Sequence, residues 1–271
     1  MKRVMFGIAI SFGLLFGMFE FQGDEPIALQ TGYSMMTLPD ATSAMFYNPA
    51  GLSEPMMLGK AFFFSQYSSS GLGIMVYGAG LRYGNFGLSF VERGAKLEGD
   101  YSGRYGEGRY AISYGRKISD NLMVGLSLKM YKFSEPRYGA SYSPSVDLGL
   151  IADKDRWSFG FYWVNVPGSD LREEDIPEYA QVAIGFTASE LSRTLLEIES
   201  RAGEPLRVGF GEEINLVKDI LKVRGGLSHQ GSYNNFSAGF SVHYGNISLD
   251  YSALFVPDMP LSHGIGLSFR R

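Results

Sequence analysis

From about Met57 onward, apolar and polar residues alternate with a period of two. That is the period of a strand with one face in an apolar environment and the other in a polar one. In Phe236–Tyr244 the even positions are apolar or aromatic, and the odd ones are small or polar. Ile247–Ala253, Leu221–Ser228 and Val124–Tyr131 repeat the pattern. The spacing predicts strands near 58–67, 72–83, 86–92, 108–116, 121–132, 143–153, 157–166, 179–188, 193–200, 205–212, 219–228, 234–244, 246–256 and 262–270. Most have the 9–11 residues that a tilted membrane strand needs.

Alternation alone suits a soluble sandwich as well as a membrane barrel, and three features separate them. The polar face mixes Gly and Ser with Lys129, Asp147, Glu197, Arg207, Lys222, Arg224, His243 and Asp250, as expected of residues facing a barrel lumen. Aromatic residues recur at strand ends, at Trp157, Trp163, Tyr244 and Phe255, where a membrane interface holds them. The last strand, His263–Phe269, is similar to the terminal strand that barrel-assembly machinery recognises, which makes that machinery an expected partner. Gly84-Asn85, Lys154-Asp155 and Gly245-Asn246 read as tight hairpin turns. Opposite them lie longer segments, 93–107, 132–142 and 167–178, as in barrels with short periplasmic turns and longer outer loops. The expected fold is all-β, a transmembrane antiparallel barrel of about 14 strands with a small N-terminal plug.

Lys2 and Arg3 precede an apolar stretch, Val4–Phe19, which reads as an export signal cleaved near Gly23. The alternative is a retained anchor helix, for which the stretch is short. The chain thus divides into a signal peptide (1–23), an N-terminal segment (24–56) and a barrel (57–271). After the signal there is no apolar run long enough for a membrane helix.

Composition narrows the chemistry. Cysteine is absent, which rules out disulfides and thiolate metal sites. His229, His243 and His263 fall on separate segments without metal-ligand spacing, so no metal or cofactor is expected. A net charge of −4 leaves no footprint for nucleic acid. Gly103–Gly108 imitates part of a dinucleotide fingerprint but opens no helix. His243 with Ser241 or Asp250 is the nearest approach to a hydrolase constellation, and no nucleophile motif surrounds it. The chain reads as a non-enzyme.

The N-terminal segment does not alternate. Asp40 can cap a short helix that Asn48-Pro49 stops, and the plain reading is a periplasmic linker ending in a turn. Asp40, Ala44, Phe46, Tyr47, Asn48, Pro49, Ala50, Gly51 and Leu52, in that order, resemble the hatch of the FadL superfamily of outer-membrane proteins, to which PorV- and PorQ-like proteins look related. The resemblance implies a 14-stranded barrel occluded by residues 24–56, with Asn48, Pro49, Ala50 and Gly51 as the hatch motif. It also implies contact with outer-membrane lipid and passage of a small hydrophobic or amphipathic substrate. The chain is shorter than the fatty-acid channels, which implies reduced outer loops.

Four functions are weighed: a passive channel for hydrophobic molecules, a non-transporting barrel serving a secretion or envelope assembly, a polar-solute porin, and an enzyme. Val164, Leu195 and Leu254 would line an apolar path or fill the barrel against the plug. A cation at Phe240, facing lipid, should be worse than one at Ser241, facing the lumen.

Overall fold

The structure, a computed structural model, describes residues 25–37, 42–54, 56–69, 72–97, 103–135, 139–166, 168–171, 174–257 and 259–271. The expected signal peptide with its cleavage site, and the capping role of Asp40, lie outside these residues.

The strands are β1 (Gly59–Ser69), β2 (Leu72–Tyr83), β3 (Phe86–Leu97), β4 (Gly103–Ser119), β5 (Leu122–Glu135), β6 (Gly139–Lys154) and β7 (Trp157–Val164). A small hairpin follows, β8 (Ser169–Leu171) and β9 (Glu174–Ile176). Then come β10 (Tyr179–Ser189), β11 (Ser192–Arg201), β12 (Arg207–Val217), β13 (Leu221–Gln230), β14 (Tyr233–Tyr244), β15 (Ile247–Phe255) and β16 (Ser262–Arg270). All except β8 and β9 form one closed barrel of 14 antiparallel strands. The ring closes where β1 pairs with β16, Gly59 opposite Arg270. Closure leaves no unpaired sheet edge.

Alternation becomes facing. Along β7 every second residue is exposed, Trp157, Phe159, Phe161 and Trp163, and the residues between are buried. The outer wall is therefore apolar, with Phe62, Leu128, Phe210, Phe240 and Ile265 among the large exposed side chains. Aromatic rings gather toward the tight-turn end, where Phe86 meets Tyr114 at 4.8 Å and Trp157 meets Phe186 at 4.6 Å. No helix among the described residues is long and apolar enough to cross a membrane, which says nothing of strands.

The segments expected as long loops are largely strand. β4 runs for 17 residues and β6 for 16, which absorbs much of 93–107 and 132–142. There the outward positions turn polar, as at Glu92 and Lys132, so hydrogen bonding continues after the hydrophobic alternation has stopped. Segment 167–178 contains the β8–β9 hairpin. Gly84 and Gly245 take positive φ in their turns. The third turn is Asp155-Arg156, one residue later than expected, because Lys154 still pairs with Trp157 and Asp155 takes the positive φ.

Inside the barrel lie a one-turn helix α1 (Pro26–Gln30) and two 3-10 helices, Ser43–Met45 and Pro49–Ser53. α1 packs on β13–β16, and the second 3-10 helix packs on β4–β6. One apolar cluster joins this plug to the wall and to the far loops. It runs from Leu29, Phe46 and Leu52 through Phe63, Val91, Leu195 and Leu254 to Ile176 and Val256.

Candidate functional site: the plug and the lumen wall

The plug is built around Asn48. Its backbone is extended and its side-chain Oδ1 accepts from Ala50 N at 3.1 Å, so Asn48 caps the Pro49–Ser53 helix. The Asn48-Pro49 pair therefore starts a helix rather than only ending one. Proline suits the first helical position because its missing N–H would have had no partner in the helix. The Asn48 Nδ2 donates to the carbonyls of Leu150 (3.2 Å) and Phe161 (3.3 Å), which face each other across β6 and β7. A carbonyl has two lone pairs and can serve the ladder and the plug together. Ala50 is fully buried against β5. Gly51 meets Ala44 of the plug itself, where a Cβ would stand 2.9 Å from the Ala44 Cβ.

The close approach comes from glycines of the wall. A Cβ on Gly125 would overlap the backbone of Pro49 and Ala50, and one on Gly149 would overlap the Asn48 side chain. Gly115, Gly211, Gly226 and Gly239 face the plug in the same way. Absence of a side chain lets plug backbone meet the wall at Gly115, Gly125, Gly211 and Gly226, and leaves room for the Asn48 and Gln30 side chains at Gly149 and Gly239.

Charged side chains also hold the plug. Arg82, fully buried, donates to the carbonyl of Leu52 at 2.9 Å and to that of Glu54. Arg109 donates to the carbonyl of Phe46 at 3.0 Å and Arg193 to that of Thr37 at 2.5 Å. On the opposite wall, Gln30 Nε2 donates to the carbonyls of Phe240 (3.3 Å) and Tyr251 (2.9 Å).

Of the eight polar residues singled out in the sequence, all buried or half-buried, seven fall into three groups that do not include His243. Lys129 Nζ lies 2.5 Å from Asp147 Oδ1, and Asp147 also accepts from Tyr162 OH and Asn165 N. Arg207 contacts Glu199 at 2.6 Å and Glu197 at 3.8 Å, and Glu197 accepts from Met36 N of the plug. Arg224 pairs with Glu213 at 2.7 Å and donates to Gln30 Oε1 and Ser241 Oγ, while Lys222 reaches Glu213 at 3.4 Å. Ser241 in turn donates to Asp250. The serine hydroxyl is thus directed at Asp250 rather than at His243, which shares the inward face of β14.

Val164, Leu195 and Leu254 are buried inward, each within an apolar cluster. Between Met35, Met36 and Tyr47 of the plug and Gln181 and Glu197 of the wall is a cavity of about 10 Å³, room for about one water. Among the described residues no group of His, Cys, Asp and Glu is arranged to hold a metal ion.

Sequence reasoning missed Gln30, Arg82, Arg109, Arg193 and the wall glycines as plug contacts. Glycine on the polar phase of successive strands was the available signal.

No family model and no curated protein matches the sequence. Solved structures do match. The Ralstonia pickettii toluene transporter TbuX superposes with a TM-score of 0.69 at 12% identity, over 93% of this chain and 99% of that one. The Pseudomonas putida toluene transporter TodX gives 0.71 at 10% identity, over 93% and 99%. A Pseudomonas aeruginosa FadL homologue gives 0.67 at 12%, over 91% and 98%. The fold is that of the FadL-type channels. At such identities the likeness concerns the fold, which in this chain comprises a closed barrel of 14 strands and an N-terminal segment of short helices and turns.

Proposed function

We propose that the chain is an integral outer-membrane barrel that passes small hydrophobic or amphipathic molecules, closed in the observed conformation by its N-terminal segment. The observation that carries this reading is the continuous apolar cluster from the plug to Ile176 and Val256 on the far side. A water-filled porin needs a polar lumen. Here Lys129, Arg207 and Arg224 pair with Asp147, Glu199 and Glu213, while Arg82, Arg109 and Arg193 are turned onto plug carbonyls, and an apolar column remains between them. An apolar solute exchanging contacts along that column loses little by leaving lipid. The toluene channels with the same fold add support, and the tight-turn end, where the plug is anchored, is the periplasmic side in this reading.

Removing residues 24–56 should leave a folded barrel with raised conductance in planar bilayers and faster uptake of a hydrophobic dye into vesicles. Unchanged conductance would overturn the plug. The close seating of the N-terminal segment on the wall glycines favours a second reading, a non-transporting barrel that serves a secretion or envelope assembly. Raised ion conductance without dye uptake would favour it over the first.

A further inference from the structure

Glu212 faces outward from the middle of β12, between the exposed apolar side chains of Phe210 and Ile214. An ionisable group on the lipid face of a barrel is costly and calls for a partner. Glu92, also outward, has one: Lys132 Nζ lies 3.7 Å away, and Tyr77 and Tyr110 donate to it. Glu212 has only hydroxyls. Ser192 donates to Oε1 at 2.6 Å and Thr194 to Oε2 at 2.7 Å, and among the described residues no cation lies within ion-pair distance. Both donors come from β11, so they fix the carboxylate from one side. On the other side its ladder partner is Gly225, which has no side chain to cover it.

The open side continues as an apolar groove. One wall is the paired Phe210 and Leu227, the other the paired Ile214 and Val223. Depth follows from register. Thr194 lies just past the β10–β11 turn and pairs with Glu212, which places the carboxylate toward the tight-turn end, near the aromatic rings of that rim. A phospholipid in that leaflet would bring its headgroup to the carboxylate and lay an acyl chain along the groove.

We propose that Glu212, with Ser192 and Thr194, is a binding site for a phospholipid with a primary ammonium headgroup, of the phosphatidylethanolamine type. A primary ammonium supplies both the missing charge and N–H donors, whereas a trimethylammonium cannot donate and an anionic headgroup is repelled. The inference rests on the reading that the outer wall faces lipid.

Native mass spectrometry of the full chain in detergent tests it, with phosphatidylethanolamine, phosphatidylcholine and phosphatidylglycerol of identical acyl chains. The expected result is retention of phosphatidylethanolamine about tenfold above the other two, as one charge-assisted hydrogen-bonded contact provides. Glu212→Gln should abolish the preference, and Glu92→Gln should keep it. Heat-modifiable gel mobility checks that each variant is folded. Equal retention of the three lipids by a folded, detergent-dependent barrel would overturn this site alone. So would a lipid-free oligomer that Glu212→Gln dissociates, because a second copy would then cover the carboxylate. A chain that is soluble and folded without detergent would overturn both the site and the membrane reading beneath it.

Discussion

Asn48 and Gln30 hold the plug to nearly opposite walls by the same device. Each side-chain amide nitrogen donates to both carbonyls of one cross-strand pair: Leu150 and Phe161 for Asn48, Phe240 and Tyr251 for Gln30. The amide oxygen is engaged too, by Ala50 N in one case and by Arg224 in the other. The plug is thereby fixed at two points across the lumen rather than hung from one.

Loss of either anchor should loosen the plug without unfolding the barrel. Asn48→Ala and Gln30→Ala should each weaken plug docking by about 1–3 kcal/mol, the range for a buried hydrogen-bonding group. In planar bilayers the expected outcome is flickering openings for each single variant and frequent ones for the double. Closed channels in the double variant would mean that the wall arginines alone hold the plug.

The wall glycines make a sharper test, because a side chain there competes with the plug and not with the ladder. Gly125→Val should expel the Asn48–Ala50 turn, giving a folded barrel with raised conductance and a plug open to protease. Gly225→Ala, outward and with only ordinary contacts around it, should change stability by less than about 0.5 kcal/mol. Equal conductance of the two variants would show that the plug accommodates a valine.

The Lys129–Asp147 pair is fully buried, so breaking it leaves a charge without compensation. Lys129→Met should cost about 3–5 kcal/mol, read as a lower denaturant midpoint in vesicles. Adding Asp147→Asn should recover part of that loss, since the amide still accepts from Tyr162 and carries no charge. A double variant as unstable as the sum of the singles would mean that the ion pair is not the coupling.

Phe240→Arg places a cation on the apolar outer face, which meets lipid in the proposed reading, and should cost about 2–4 kcal/mol near the bilayer midplane. The sequence suggests that Ser241→Arg is the milder change, and the packing reverses that. Ser241 is fully buried and touches Arg224 and Asp250. An arginine there should displace Arg224 from Gln30 and open the channel as well as destabilise it. Wild-type conductance together with a mild folding defect would mean the lumen is roomier than the packing indicates.

The strands were legible because each lies between two unlike environments, which imprints a period of two. The count, the pairing order and the short turns follow from that pattern. Legibility fails where the environments become alike. Beyond Glu92 and Lys132 the outward positions are Gly94, Gly106 and Ser134 while Phe133 still packs inward, so the apolar outer phase is lost and the extra length of β4 and β6 goes unmarked. The Asn48-Pro49-Ala50 turn was visible because each residue has a backbone role. Gln30 was not visible, since a single amide in Pro26–Gln30 has no spacing that points to its partners more than 200 residues away.

Contact of the plug with both β4–β6 and β13–β16 has a consequence for how the ring comes to be closed. Before β1 meets β16 the sheet is a curved ribbon with two unpaired margins, and the closing pair joins Gly59 to Arg270. Bringing such distant margins together costs chain entropy, and open margins invite wrong pairing. A short segment seated on both halves shortens the effective path between them and sets their curvature. On the proposed reading, the residues that close the finished barrel would also speed its winding, so a chain without residues 24–56 should reach the same closed ring more slowly.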